Sequence, residues 1–117
     1  MQDFGKLQVW KKSHDLTLRI YDLTSRFPRE EIYGLTSQIR RACASIPTNI
    51  AEGCGRNSSA DLARFLQIAM GSASETEYLL LLAHDLEYIN ADQYAELTDA
   101  TIRVKKMLAS LLKKLRA

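Results

Sequence analysis

Apolar residues recur along this chain at intervals of three and four, in four successive stretches separated by short polar or glycine-containing breaks. Leu16, Ile20, Leu23 and Phe27 stand four, three and four apart. That spacing keeps them on one face of a helix and predicts a first helix over Val9–Ser25. Phe27-Pro28 ends it, because proline disfavours helical geometry in the residue before it and is itself welcome at a helix start. Glu30 and Glu31 then stand where a helix N-terminus favours acids.

The second stripe, Leu35, Ile39, Ala42, Ile46 and Ile50, predicts a helix over Glu30–Gly53. Pro47 lies inside it, removes one backbone donor and crowds the carbonyl of Cys43, so the helix must kink or break. The stripe stays in phase across Pro47, which favours a kink. Gly53, Cys54 and Gly55 end the helix.

The third stretch predicts a helix over Ser59–Ile89, with Ser58 and Asp61 as its capping pair and an inner face including Leu62, Phe65, Leu66, Ala69, Ala73, Leu80, Ala83 and Leu86. Its middle, Ala69 to Ser74, is made of small residues apart from Met70, and Gly71 there calls for a packing reason because glycine costs about 1 kcal/mol in a helix interior. The fourth predicted helix, Ala91–Leu115, has Asn90 and Gln93 as a capping pair. Its seam is Leu97, Thr101, Val104, Leu108, Leu111 and Leu115, at alternating spacings of four and three.

Helices of about 25 residues span about 37 Å. Three short connections between them predict an all-α fold, an antiparallel up-down-up-down four-helix bundle, as one domain over residues 1–117. The 117 residues, 46% of them hydrophobic and 26% charged, are enough for a core without staples. The longest apolar run, Tyr78 to Ala83, is far short of a membrane span. The start lacks the apolar stretch of a signal peptide. Cys43 and Cys54 are too few for a disulfide framework and read as free thiols. A cytoplasmic home is the expectation.

Net charge is only +2, but its distribution is uneven. Between Phe65 and Ile102 there are seven acids and no Lys or Arg; from Arg103 onward there are six bases and no acid. In an up-down-up-down bundle both termini and the middle turn share one end. That end collects Lys6, Lys11, Lys12, Arg56, Arg64, Lys113, Lys114 and Arg116, against Asp3 and Asp61. The other end collects Asp22, Glu30, Glu31, Asp85, Glu87, Asp92, Glu96 and Asp99, against Arg26 and Arg29. In a ring with parallel axes each face would sum one sign. The basic end suits nucleic-acid phosphates; the alternative is that C-terminal bases merely offset the helix dipole and aid solubility.

The segment Arg40–Arg56 carries a second pattern. Arg41, Ser45, Asn49, Glu52 and Arg56 lie four, four, three and four apart and form a polar stripe flanking the apolar one. They are expected to hydrogen-bond to another helix or another subunit. The local alternative is an Asn49–Glu52 cap on a helix restarted after Pro47.

Three pieces of the chain resemble one family: Val9-Trp10 with Lys12, the Phe27–Leu35 segment, and Ser45–Arg56 with its SIP-NIAEG-GR pattern. These are similar to the bacterial four-helix-bundle proteins encoded in intervening sequences of large-subunit ribosomal RNA genes. The likeness runs from about Phe4 to Ile89 and weakly through the fourth helix. It implies a four-helix bundle, and kinship with the accessory protein of diversity-generating retroelements. That protein is a pentameric ring with a positively charged surface, taken to bind nucleic acid and a reverse transcriptase. A homo-oligomer, in the form of a pentamer, is the implied state of this chain.

No enzyme motif is complete. His14 and His84 belong to no Glu-x-x-His pair, Cys43 and Cys54 lack companion metal ligands, and Gly53-x-Gly55 ends a helix instead of opening a phosphate loop. His14 reads as a surface or half-buried histidine, and Trp10 and Tyr33 as packing anchors at an interface. The expectation is a non-enzymatic, cofactor-free, oligomeric binder of RNA or DNA. The second reading is a scaffold for another polypeptide such as a polymerase. A bundle enzyme or metal carrier comes third.

Overall fold

The computed structural model describes residues 2–117 and contains four helices: α1 (Gln8–Thr24), α2 (Leu35–Cys54), α3 (Ser59–Asp85) and α4 (Ala91–Arg116). Single 3₁₀ turns at Phe4–Lys6 and Arg29–Glu31 precede α1 and α2. α1 lies within a residue of its predicted bounds. Its inner face buries Val9, Leu16, Ile20 and Leu23 together with Ser13 and Thr24. The two hydroxyls bury without a partner problem, because each donates to a carbonyl of its own helix: Ser13 to Trp10 at 2.9 Å and Thr24 to Ile20 at 2.8 Å.

α2 starts later than its apolar stripe suggests. The acids Glu30 and Glu31 belong to the separate 3₁₀ turn, and Gly34 takes φ −109°, ψ −116°, which no helix continues through. The Glu31 carboxylate then does the work of a cap, accepting the Leu35 N–H at 3.0 Å. Past that point α2 is unbroken and contains Pro47. The proline lacks the N–H that the Cys43 carbonyl would accept, and the Thr17 hydroxyl of α1 approaches that carbonyl at 3.4 Å.

α3 opens on the expected cap, the Ser58 hydroxyl accepting the Asp61 N–H at 3.1 Å. It stops four residues before its predicted end. Glu87 adopts φ 65°, the Tyr88 N–H donates to the Ala83 carbonyl at 2.9 Å, and the Glu87 N–H donates to His84 at 2.9 Å. These bonds form a Schellman closure with glutamate in the seat glycine usually fills. Leu86, expected in the inner face, is exposed in consequence. α4 is closed at its start by a full capping box, with Asn90 and Gln93 exchanging bonds at 2.9 and 2.8 Å. Its buried positions are Leu97, Thr101, Val104, Leu108 and then Leu112, not Leu111 and Leu115. At 3.6 residues per turn Leu115 stands about five turns after Leu97 and keeps the inner face, but it lies in the last turn of α4 and is half-buried, while Leu111 and Leu112 straddle that face.

α1 packs on α2 and α4, and α3 on the same two helices, which gives a square bundle in chain order. One core joins all four, with Leu16, Ile20, Ile39, Ile46, Ile50, Leu66, Leu80 and Leu108 fully buried. α2 and α3 approach closely at Gly53, where a Cβ would stand 2.9 Å from that of Phe65. Gly71 differs: it is exposed, and a Cβ there would meet nothing within 4 Å, so no packing inside the chain accounts for it. The molecule measures 43 × 23 × 20 Å.

Candidate nucleic-acid interface

Contacts fix which segments share an end. The Gln2 N–H donates to the Cys54 carbonyl at 2.9 Å, and Gln2, Cys54, Ser58, Leu62 and Leu115 line one small cleft. The chain start, the α2–α3 turn and the end of α4 therefore meet. At the other end the Phe27 and Tyr88 rings lie 5.4 Å apart, and the Tyr88 hydroxyl donates to Glu31 at 2.8 Å.

All eight expected bases are exposed. Lys6 closes the first 3₁₀ turn, Lys11 and Lys12 lie in the opening turns of α1, Arg56 in the α2–α3 turn, Arg64 in the second turn of α3, and Lys113, Lys114 and Arg116 in the last turn of α4. Arg56 and Arg64 both stand over the Phe65 ring, at 4.9 and 4.6 Å, which holds the two guanidinium groups close together. With the Gln67 amide turned oxygen-first, Arg116 donates to it at 2.8 and 3.3 Å. Among the described residues only Arg56 of the eight has an acid partner, Glu52 at 3.7 Å. Lys12 is set apart: it borders the groove between α1 and α4 with Asp15, Asp99 and Arg103, where both signs mix.

Helix dipoles do not decide the sign of this end. α1 and α3 begin there while α2 and α4 finish there, so their partial charges oppose. The positive charge is that of the side chains. The far end is held differently, with several of its acids engaged: Glu96 with Arg19 at 2.6 Å, Asp22 with Arg26 at 3.2 Å and Asp99 with Arg103 at 3.1 Å. The Leu35 N–H, and then the Tyr88 hydroxyl, hold the Glu31 carboxyl below its usual range; accepting that bond, Glu31 raises the Tyr88 phenol.

The polar stripe divides by depth. Ser45 and Asn49 are half-buried; Arg41, Glu52 and Arg56 are exposed. Ser72 of α3 donates to the Ser45 hydroxyl at 2.9 Å, and Asn49 donates to the same hydroxyl at 2.9 Å and to the Ser45 carbonyl at 2.8 Å. The middle of the stripe thus bonds α2 to α3. Asn49 does not cap a restarted helix, since α2 never stops at Pro47. Arg41 makes no ion pair among the described residues and borders a shallow groove with Tyr33 and Glu75.

Neither cysteine is poised for chemistry. Burial, only partly offset by the Thr17 hydroxyl, pushes the Cys43 thiol up to about 11, and burial also raises Cys54. His14 stacks on Trp10 with ring centres 5.0 Å apart. Among the described residues no three His, Cys, Asp or Glu side chains gather as metal ligands, and no helix is long and apolar enough to cross a membrane. The sequence marks Tyr33 as an interface anchor but gives no sign of its neighbour Ile32. Ile32 and Tyr33 are 56% and 95% exposed, standing in the short turn between the 3₁₀ segment and α2.

Fold and surface together define a small all-α bundle with charge separated along its axis. The model of the 23S rRNA-intervening sequence protein family matches residues 5–110, and the chain belongs to that family. Among solved structures it is similar to a protein of unknown function from the S23 ribosomal protein family of Bacteroides thetaiotaomicron. The two are 35% identical with a TM-score of 0.84, over 90% of this chain and 95% of that one. No curated protein matches the chain.

Proposed function

We propose that this chain is a non-enzymatic, homo-oligomeric protein that binds RNA or DNA through its basic end in the cytoplasm, with a pentameric ring as its working form. The observation that carries the reading is the run of exposed bases at one end, all but Arg56 without an acid partner among the described residues. Unpaired bases are free to displace the counterions of a phosphate backbone, and copies standing side by side add their ends into one face. The ring of five rests on the family resemblance.

Fluorescence anisotropy with a structured RNA and with duplex DNA tests it. Binding at about 50 mM salt should weaken by about a thousandfold or more by 200 mM if six or more phosphates are contacted. Absence of binding at low salt, or binding indifferent to salt, overturns the reading. Ile32 and Tyr33 favour a second one, a scaffold for a polypeptide such as a polymerase, since exposed aromatics on a fixed backbone are typical interface anchors. A partner that Ile32→Ala/Tyr33→Ala no longer retains after nuclease treatment would support it.

A further inference from the structure

Between α3 and the last turns of α4 the surface opens into a cleft of about 570 Å³, within the size range of sites that take small molecules. Leu112 is buried and Met70 half-buried, and these form its floor; Gln67, Ala109, Lys113 and Arg116 are exposed around them. No acid lines it. The grooves beside α1 carry Asp15, Asp22, Glu96 and Asp99, and the groove beside Tyr33 carries Glu75. A second acid-free cleft, beside Cys54, holds only about 110 Å³. Both acid-free clefts belong to the basic end, and the larger alone has the room of a ligand site.

The rim is held in place. With the Gln67 amide turned oxygen-first, its carbonyl accepts from two nitrogens of Arg116 at 2.8 and 3.3 Å. Those bonds use the edge of the guanidinium and leave its planar face, on which an aromatic ring can stack. Neither Lys113 nor Arg116 has an acid partner among the described residues, so both charges are available. We propose that this cleft takes one unstacked base of a single-stranded nucleic acid, with the flanking phosphates on Lys113 and Arg116.

The occupant follows from two features standing together, an apolar floor and a rim that is basic without any acid. A duplex turns its phosphates outward but keeps the faces of its bases inside the stack, so it would leave Met70 and Leu112 uncovered. An unpaired strand offers an anion and an uncharged flat ring within one nucleotide. Met70 suits that ring, because its side chain is unbranched and its sulfur polarizable, so it moulds to any base. Contact of this kind is tolerant of sequence, since every base has the same flat face to offer.

This assignment rests on the nucleic-acid reading above and narrows it to single strands. Anisotropy of the full chain at about 50 mM salt tests it with oligo(dT) of about 12 nucleotides and with the same backbone carrying abasic sites throughout. Oligo(dT) should bind about tenfold tighter or more than the abasic strand. Ala109→Leu fills the cleft from an exposed position without touching a charge. It should erase that difference and leave the salt dependence as it was. A thiol placed by Ala109→Cys should be shielded from alkylation by oligo(dT), but not by the abasic strand or by a duplex of equal length; Cys43 and Cys54 are buried and give little background. Equal affinity for the two strands, or shielding by the duplex, overturns the assignment and leaves the basic-end reading standing. No binding of any of the three overturns both. A peptide of alternating Leu and Glu that shields the thiol where oligo(dT) does not would give the cleft to a polypeptide and likewise overturn the assignment. The abasic comparison needs no substitution, so the test survives a variant that misfolds.

Discussion

Glu87 is held at φ 65° by bonds on either side of it, a conformation that costs an ordinary side chain about 1 kcal/mol more than glycine. Glu87→Gly should raise the thermal midpoint by about 4 °C, read by calorimetry. Glu31 makes a second prediction. Its carboxyl is lowered by the Leu35 N–H and the Tyr88 hydroxyl, so it contributes stability above the ordinary carboxylate range, lost as pH falls through its own depressed value. Denaturant midpoints between pH 7 and pH 3 should fall, and in Glu31→Gln that fall should shrink. Tyr88, raised by the same bond, contributes below the ordinary tyrosine range, and its share is lost as pH climbs through its raised value.

At the scale of elements, two glycines in helices should respond in opposite directions to the same change. Gly53→Ala pushes a methyl to 2.9 Å from the Phe65 Cβ and 3.0 Å from Leu62, and should cost about 1–3 kcal/mol. Gly71→Ala adds a methyl in open space and should gain about 1 kcal/mol for the single chain. Urea denaturation checks both. The sequence treats these glycines in reverse, reading Gly53 as a helix stop and Gly71 as the close approach. Spacing tells which face a residue is on, but not how near the neighbouring helix comes. The same limit explains the element ends. The Asn90 and Ser58 caps were legible because their partners are three residues away, whereas α2 is capped by Glu31, itself bonded to Tyr88 fifty-seven residues distant. The end of α3 was missed because no glycine marks its left-handed closure.

For the whole molecule, the bundle and the shared end of its termini followed from helix count and short connections alone. The depth of the polar stripe and the position of Lys12 did not, because both depend on which flank of a helix meets its neighbour. The proposed interface makes a graded prediction. If Lys113 and Lys114 each contact one phosphate, replacing both with Gln should lower the slope of log affinity against log salt by about 1.8 and weaken RNA and DNA of any sequence alike. An unchanged slope would remove the end of α4 from the footprint.

The two thiols give the fold a built-in gauge of its own breathing. Cys43 sits under Thr17 between α1 and α2, and Cys54 lies where Gln2 closes over the end of α2. An alkylating reagent can reach the first only when α1 lifts away, and the second when the chain start comes loose. Two modification rates, followed by mass spectrometry, would therefore separate fraying at one end from parting of the helices, without any label being added.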